Sequence, residues 1–157
     1  MTQKSWLPFA LCIGATLGAS AVGAFFTIGS IPTWYAGLVH PSWTPPAWVF
    51  GPVWTVLYIL MGIAAALVWR SQKKYRDDAL LFFFAHLLVN ISWSLVFFGL
   101  QDPASALIII KSLWLLIVVL MCVFWRFSRT ATYLLVPYLI WETYASTLNL
   151  GIIFLNP

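Results

Sequence analysis

Four runs of about twenty apolar residues, joined by links too short to fold on their own, constrain this chain more than any other feature. A membrane-spanning helix needs about 20 predominantly apolar residues. Runs starting near Leu7, Val49, Ala79 and Pro103 each supply that length, and a fifth, proline-interrupted run ends near Phe154. Only 8% of the residues are charged, and the mean hydropathy is +0.94. A water-soluble domain carries about 25% charged residues, so a soluble bundle of this composition could not cover its own surface. The sequence therefore predicts an all-α membrane protein, a five-transmembrane-helix bundle with helices at about 7–28, 47–69, 79–99, 103–124 and 131–154. Five such spans use nearly the whole chain and leave one membrane domain over residues 1–157.

Charge placement predicts orientation. With five crossings, the N-terminus and the second and fourth connections share one side. That side holds Lys4, Arg70, Lys73, Lys74, Arg76, Arg126 and Arg129; the only other basic residue, Lys111, lies within a run. The positive-inside rule then puts the N-terminus in the cytoplasm, with the first loop and the C-terminus opposite. The net charge of +4 is explained by these helix-end residues, and no nucleic-acid partner is expected. Ala19-Ser20-Ala21 resembles a signal-peptidase site, but the first run is too long for a signal core and is expected to be retained. Gly14 and Gly18 form a small-residue pair, and Ala15, Ala19 and Gly23 repeat the spacing alongside, which suits close helix packing. Cys12 and Cys122 read as small buried hydrophobes.

One segment, HPSWTPPAWVFGPVWTVLY from His40 to Tyr58, combines Trp43, Trp48 and Trp54 with four prolines and no formal charge. Proline fixes φ and disfavours helix in the preceding residue, so Pro41 to Pro46 should run extended and a helix should start close behind. On that helix Phe50, Trp54 and Tyr58 recur every four residues and share a face, with Trp48 off it. The third helix carries His86, Asn90, Ser94 and Phe97 as a stripe with Trp93 beside it. The fifth carries Trp141, Ala145, Leu148 and Asn149, with Glu142 adjacent. Polar groups within a bilayer face the bundle interior or a cavity. Asn and Ser also glue helices together, and packing alone is the alternative reading of each stripe. Ten tryptophans, several too deep for an interfacial belt, favour a cavity lined by flat rigid rings with a few polar groups to orient a planar ligand.

Lys111 and Glu142 lie about 12 and 16 Å from their helix ends at 1.5 Å per residue, near mid-membrane. Isolated charges there are costly, so an ion pair or a shared wet pocket is expected; outward snorkelling of Lys111 is the alternative. His40 and His86 stand apart, with no nucleophile set, metal-ligand set or phosphate loop. No catalytic residue and no metal site are expected.

These residues carry a resemblance. Trp34-Tyr35, HPSWTPPAWVFGPVWTVLYILMG, Asn90-x-x-Trp93 with Phe97-Phe98-Gly99, and VPYLIWETYASTLN are similar to the translocator protein or tryptophan-rich sensory protein (TspO) family, also called peripheral benzodiazepine receptors. The resemblance covers essentially the whole chain. It implies a five-helix bundle, commonly a homodimer, that binds porphyrins and other planar hydrophobic ligands such as isoquinoline carboxamides under the first loop, with no required cofactor. The implied ligand-binding residues are Trp34, Tyr35, Pro45, Phe50, Trp54, Tyr58, Asn90, Trp93, Trp141, Ala145 and Leu148. Three departures stand out. The family's cholesterol motif is not intact, because LGIIFLNP follows Leu148-Asn149; Glu142 replaces an uncharged residue; and Lys111 puts a base where many members carry an acid.

The expected function is a receptor or transporter for porphyrin-like tetrapyrroles, acting in sensing or trafficking under stress, in a bacterial cell membrane or an organellar one. Two alternatives are light-dependent oxidative breakdown of bound porphyrin, with Trp34 and Trp141 as redox candidates, and a membrane scaffold with a vestigial pocket.

Overall fold

Apolar helices dominate because, without water, only a helix or a closed barrel satisfies every backbone polar group internally. The computed structural model describes residues 6–157, so Lys4 lies outside the described residues. Helix α1 spans Leu7–Ile28, α2 Phe50–Trp69, α3 Arg76–Ser94, α4 Pro103–Trp125, α5 Arg129–Leu134 and α6 Val136–Leu155; no strand occurs among the described residues. Four helical segments, Leu7–Ile28, Ala47–Trp69, Arg76–Gly99 and Pro103–Trp125, are long and apolar enough to cross a membrane.

Local chemistry sets the boundaries. Pro8 and Pro103 sit in first turns, where a missing N–H costs least. The Asp102 carboxylate caps α4, accepting from the Ala104 and Ser105 amides at 3.1 and 3.0 Å. Hydrogen bonding by Ser105, reinforced by the Ala104 amide, holds that carboxyl below the usual carboxylate range. The helix expected from Ala47 begins instead as a tight 3-10 turn, Ala47–Val49, before α2 proper. Pro137 falls in the first turn of α6, where the final run divides at Leu135, a fully buried residue.

Helix α2 is the most central, with Leu57, Tyr58, Met61, Gly62, Ala64, Ala65, Ala66 and Val68 buried. Its alanines and Gly62 let neighbouring backbones approach: a Cβ at Gly62 would lie 2.6 Å from Ile13 Cα of α1. The buried face of α1 is Cys12, Thr16, Ala19 and Gly23, and Thr16 Oγ1 donates to the Tyr58 carbonyl at 2.8 Å. Gly14 and Gly18 are exposed, with open space where a Cβ would stand. Of the two small-residue rows on α1, the one carrying Ala19 and Gly23 packs inward, whereas Ala15 is exposed like Gly14 and Gly18. Cys122 is exposed on α4, a correction to its expected burial, whereas Cys12 is buried.

The basic residues gather at one end. Lys73 Nζ donates to the Arg126 carbonyl at 2.6 Å, joining the α2–α3 and α4–α5 connections. Arg70 lies over the Phe9 ring and Arg129 over Trp125. At the opposite end the first loop folds back on α6. Val39 and Asn156 exchange two hydrogen bonds, of 2.9 and 3.0 Å, and Tyr144 Oη donates to the Trp43 carbonyl at 2.6 Å. Pro41 is buried against Gly151, where any Cβ would clash with its ring.

Enlarging Gly62 to leucine should force α1 away from α2. We expect a loss of about 1–3 kcal/mol or more in unfolding experiments in detergent; an unchanged unfolding midpoint would contradict this packing.

Candidate ligand-binding site

A cavity of about 430 Å³ lies between α1, α2, α3 and α6, beneath the first loop. That volume falls within the range of about 300–1,000 Å³ typical of small-molecule sites. Its α2 wall is Phe50, Trp54 and Tyr58, one residue per turn. Trp54 and Tyr58 ring centroids are 5.6 Å apart, and Phe50 meets Trp141 of α6 edge-on at 5.8 Å. Trp141, Ala145 and Leu148 form the α6 wall, and Asn90 and Trp93 face them from α3. Tyr35 comes down from the loop and packs tilted against Phe98 at 5.6 Å; burial, with Tyr144 nearby, pushes its phenol above the usual tyrosine range.

The α3 wall owes its shape to a backbone feature that helical periodicity does not reveal. Residues Leu95–Gly99 form a π-helical turn, closed by the Leu100 amide donating to the Leu95 carbonyl at 2.8 Å. The wider turn advances less per residue than an α-helix, so Trp93, Phe97 and Phe98 all face the cavity. Trp93 stacks on Phe97 at 5.1 Å. Two outside contacts support the turn. Ser30 Oγ donates to the Phe98 carbonyl at 2.7 Å, and Asn149 accepts from the Trp93 indole at 3.3 Å while donating to the Pro103 carbonyl at 2.8 Å.

Beside the cavity floor runs a directed hydrogen-bond chain. Tyr58 Oη donates to Asn90 Oδ1 at 2.5 Å, and Asn90 Nδ2 donates to Tyr138 Oη at 2.7 Å. Tyr138 is then left to donate to His86 Nε2, 3.0 Å away, and His86 Nδ1–H to the Phe83 carbonyl at 3.1 Å. This order of donors dictates the His86 tautomer. His86 is buried and does not line the cavity; it terminates the chain that positions Asn90 and Tyr58.

Not every residue expected at the ligand lines this cavity. Trp34 does not reach the cavity; it packs edge-on against Phe97 at 5.6 Å, behind the wall, because Tyr35 takes the inward position of that turn. Pro45 belongs to the extended stretch above and does not line the cavity either. Trp48, expected off the ligand face, lines the mouth while remaining 73% exposed, since the 3-10 turn preceding α2 changes its phase. Ile28 of α1, 70% exposed, stands with it at the opening.

Lys111 and Glu142 form no ion pair. Lys111 is exposed on the α4 face shared with Ile108 and Leu115, whereas Glu142 is 1% exposed and lines the cavity with Leu113. Two positions along a helix turn the chain by about 200°, so Lys111 and inward-facing Leu113 point to opposite sides. Among the described residues the one ion pair is Arg76–Asp77, at 2.9 Å.

Comparison with known proteins places this architecture. The TspO/MBR family model matches residues 9–155. The chain is 44% identical over 157 residues to the "Tryptophan-rich protein TspO" of Chlorobaculum tepidum, with 99% of each chain covered. It is 41% identical to the "Tryptophan-rich sensory protein" of Cereibacter sphaeroides, covering 87% of each. It is 35% identical to the human "Translocator protein", covering 92% of this chain and 87% of that one. The chain is an integral membrane protein belonging to the TspO/MBR family.

Proposed function

We propose that this protein is a membrane receptor or transporter that takes a planar hydrophobic ligand, of the porphyrin-like tetrapyrrole class, into the cavity beneath its first loop. The observation that carries this reading is the aromatic enclosure. Phe50, Trp54, Trp93, Phe97 and Trp141 surround one space from three helices, with a few polar groups among them, Asn90 and Glu142 included. Flat rigid rings offer large contact area at low entropic cost, and a few fixed polar groups orient what they hold. Relatives named for translocation and sensing support a trafficking or sensing role in a bacterial cell membrane.

In this reading α5 and α6 together make a fifth crossing, bent at Leu135. The basic end then lies in the cytoplasm, with the first loop and the C-terminus opposite. The mouth beside Ile28 and Trp48 lies between α1 and α2, where an apolar ligand would meet lipid rather than water. A homodimer would use faces outside the cavity, since the enclosure is built within one chain. Binding is favoured over porphyrin breakdown because Trp34, one of the two redox candidates, stands behind the wall while Trp141 lines it.

Titration of the purified protein with protoporphyrin in the dark tests this reading. Saturable quenching of tryptophan fluorescence is expected, and Trp54→Ala should weaken binding by about tenfold, or 1.4 kcal/mol. Trp48→Ala, at the exposed mouth, should cost less than half of that; equal losses would contradict the assignment of wall and mouth. The loop should act as a lid. Asn156→Ala removes both side-chain bonds to Val39 and should speed ligand dissociation by about fivefold in a displacement chase. An unchanged rate would show that the loop does not retain ligand.

A further inference from the structure

Glu142 is the one carboxylic acid among the described residues of the cavity wall, and none of those residues hydrogen-bonds its side chain. The residue is 1% exposed, its Oε2 is buried without a hydrogen-bond partner, and among the described residues no cation lies within ion-pair distance. The nearby phenols are committed elsewhere. Tyr58 donates to Asn90, and Tyr138, which accepts from Asn90, is directed at His86. Ser146 Oγ donates to the Glu142 backbone carbonyl, not to its side chain. A buried carboxyl left unmatched is costly, and such groups within membrane spans belong to a pathway or a binding function.

A second orphan lines the same cavity: Trp141 Nε1 is buried and donates to nothing. Leu113, Ala145 and Leu148 supply only apolar surface around the acid. We infer that Glu142 is a ligand-recognition residue, whose free carboxyl oxygen accepts from an N–H of the bound planar molecule. Nitrogen heteroaromatics carrying a pyrrole-type, amino or protonated ring N–H therefore fit this depth of the cavity. A ligand carboxylate would face an acid there and must stay at the Trp48 mouth. This inference rests on the reading of the cavity as a ligand site and adds the chemistry that the site selects.

Three tricyclic probes of similar shape separate the two claims: 9-aminoacridine, anthracene and 9-anthracenecarboxylate. Each is bound to the full chain in neutral maltoside micelles, and only the component lost in Trp54→Ala is counted as cavity binding. Wild-type protein should prefer 9-aminoacridine over 9-anthracenecarboxylate by at least about tenfold, the factor lost with one charge-assisted hydrogen bond. Glu142→Gln should shrink that preference to about threefold or less and leave anthracene unchanged. Trp54-dependent binding of all three probes with equal affinity, or a preference untouched by Glu142→Gln, overturns the role of Glu142 while the planar-ligand reading stands. Absence of Trp54-dependent binding for every probe overturns both. Should Glu142→Gln not fold, the wild-type preference together with Glu142→Leu decides the same question.

Discussion

The chain of hydrogen bonds from Tyr58 through Asn90 and Tyr138 to His86, all buried, ties α2, α3 and α6 together in the bundle interior. Interhelical hydrogen bonds in membranes contribute only about 0.6 kcal/mol each on average, so the chain is a modest source of stability. Its larger effect is geometric. Each member has one arrangement that satisfies its neighbours, which fixes the rotation of three helices and with it the aromatic walls above. Trp54 sits one turn from Tyr58, Trp93 three residues from Asn90, and Trp141 three residues from Tyr138. A small rotation of any of these helices would break a bond in the chain and turn a tryptophan out of the enclosure.

The opposite end of the cavity depends on a different physical device. The first loop is stiffened by Pro41, Pro45 and Pro46, so little conformational freedom remains to be lost when it docks. Gly151 leaves the space that Pro41 fills, and Asn156 meets the Val39 backbone as a neighbouring strand would. The last helix thus serves twice: Trp141, Ala145 and Leu148 form a wall, and Gly151 and Asn156 hold the cover.

Much of this could be read from residue spacing. A four-residue repeat put Phe50, Trp54 and Tyr58 on one face, and three- and four-residue steps did the same for Trp141, Ala145 and Leu148. The errors arose where the backbone leaves the α-helical period. Trp48 precedes α2 in a 3-10 turn, and Phe98 joins Trp93 and Phe97 only because Leu95–Gly99 is π-helical. Depth alone suggested that Lys111 and Glu142 meet, but equal depth says nothing of azimuth, and α4 turns Lys111 outward. The small-residue rows of α1 show a related limit: composition identifies surfaces capable of close approach, and only packing shows that Ala19 and Gly23 are used while Gly14 and Gly18 are not. Nor could sequence show that Tyr138 and His86 complete a chain with Asn90, because that link joins residues 48 positions apart.

We propose the aromatic enclosure beneath the first loop as the ligand site. Its most direct test is the crystal structure of this protein grown with a brominated planar heteroaromatic, with the bromine located by anomalous scattering. A single strong peak between Trp54, Trp93 and Trp141 is expected, with the ring nitrogen directed at Glu142. Bromine found only in lipid-facing grooves outside the bundle, with the enclosure empty at saturating ligand, would contradict it.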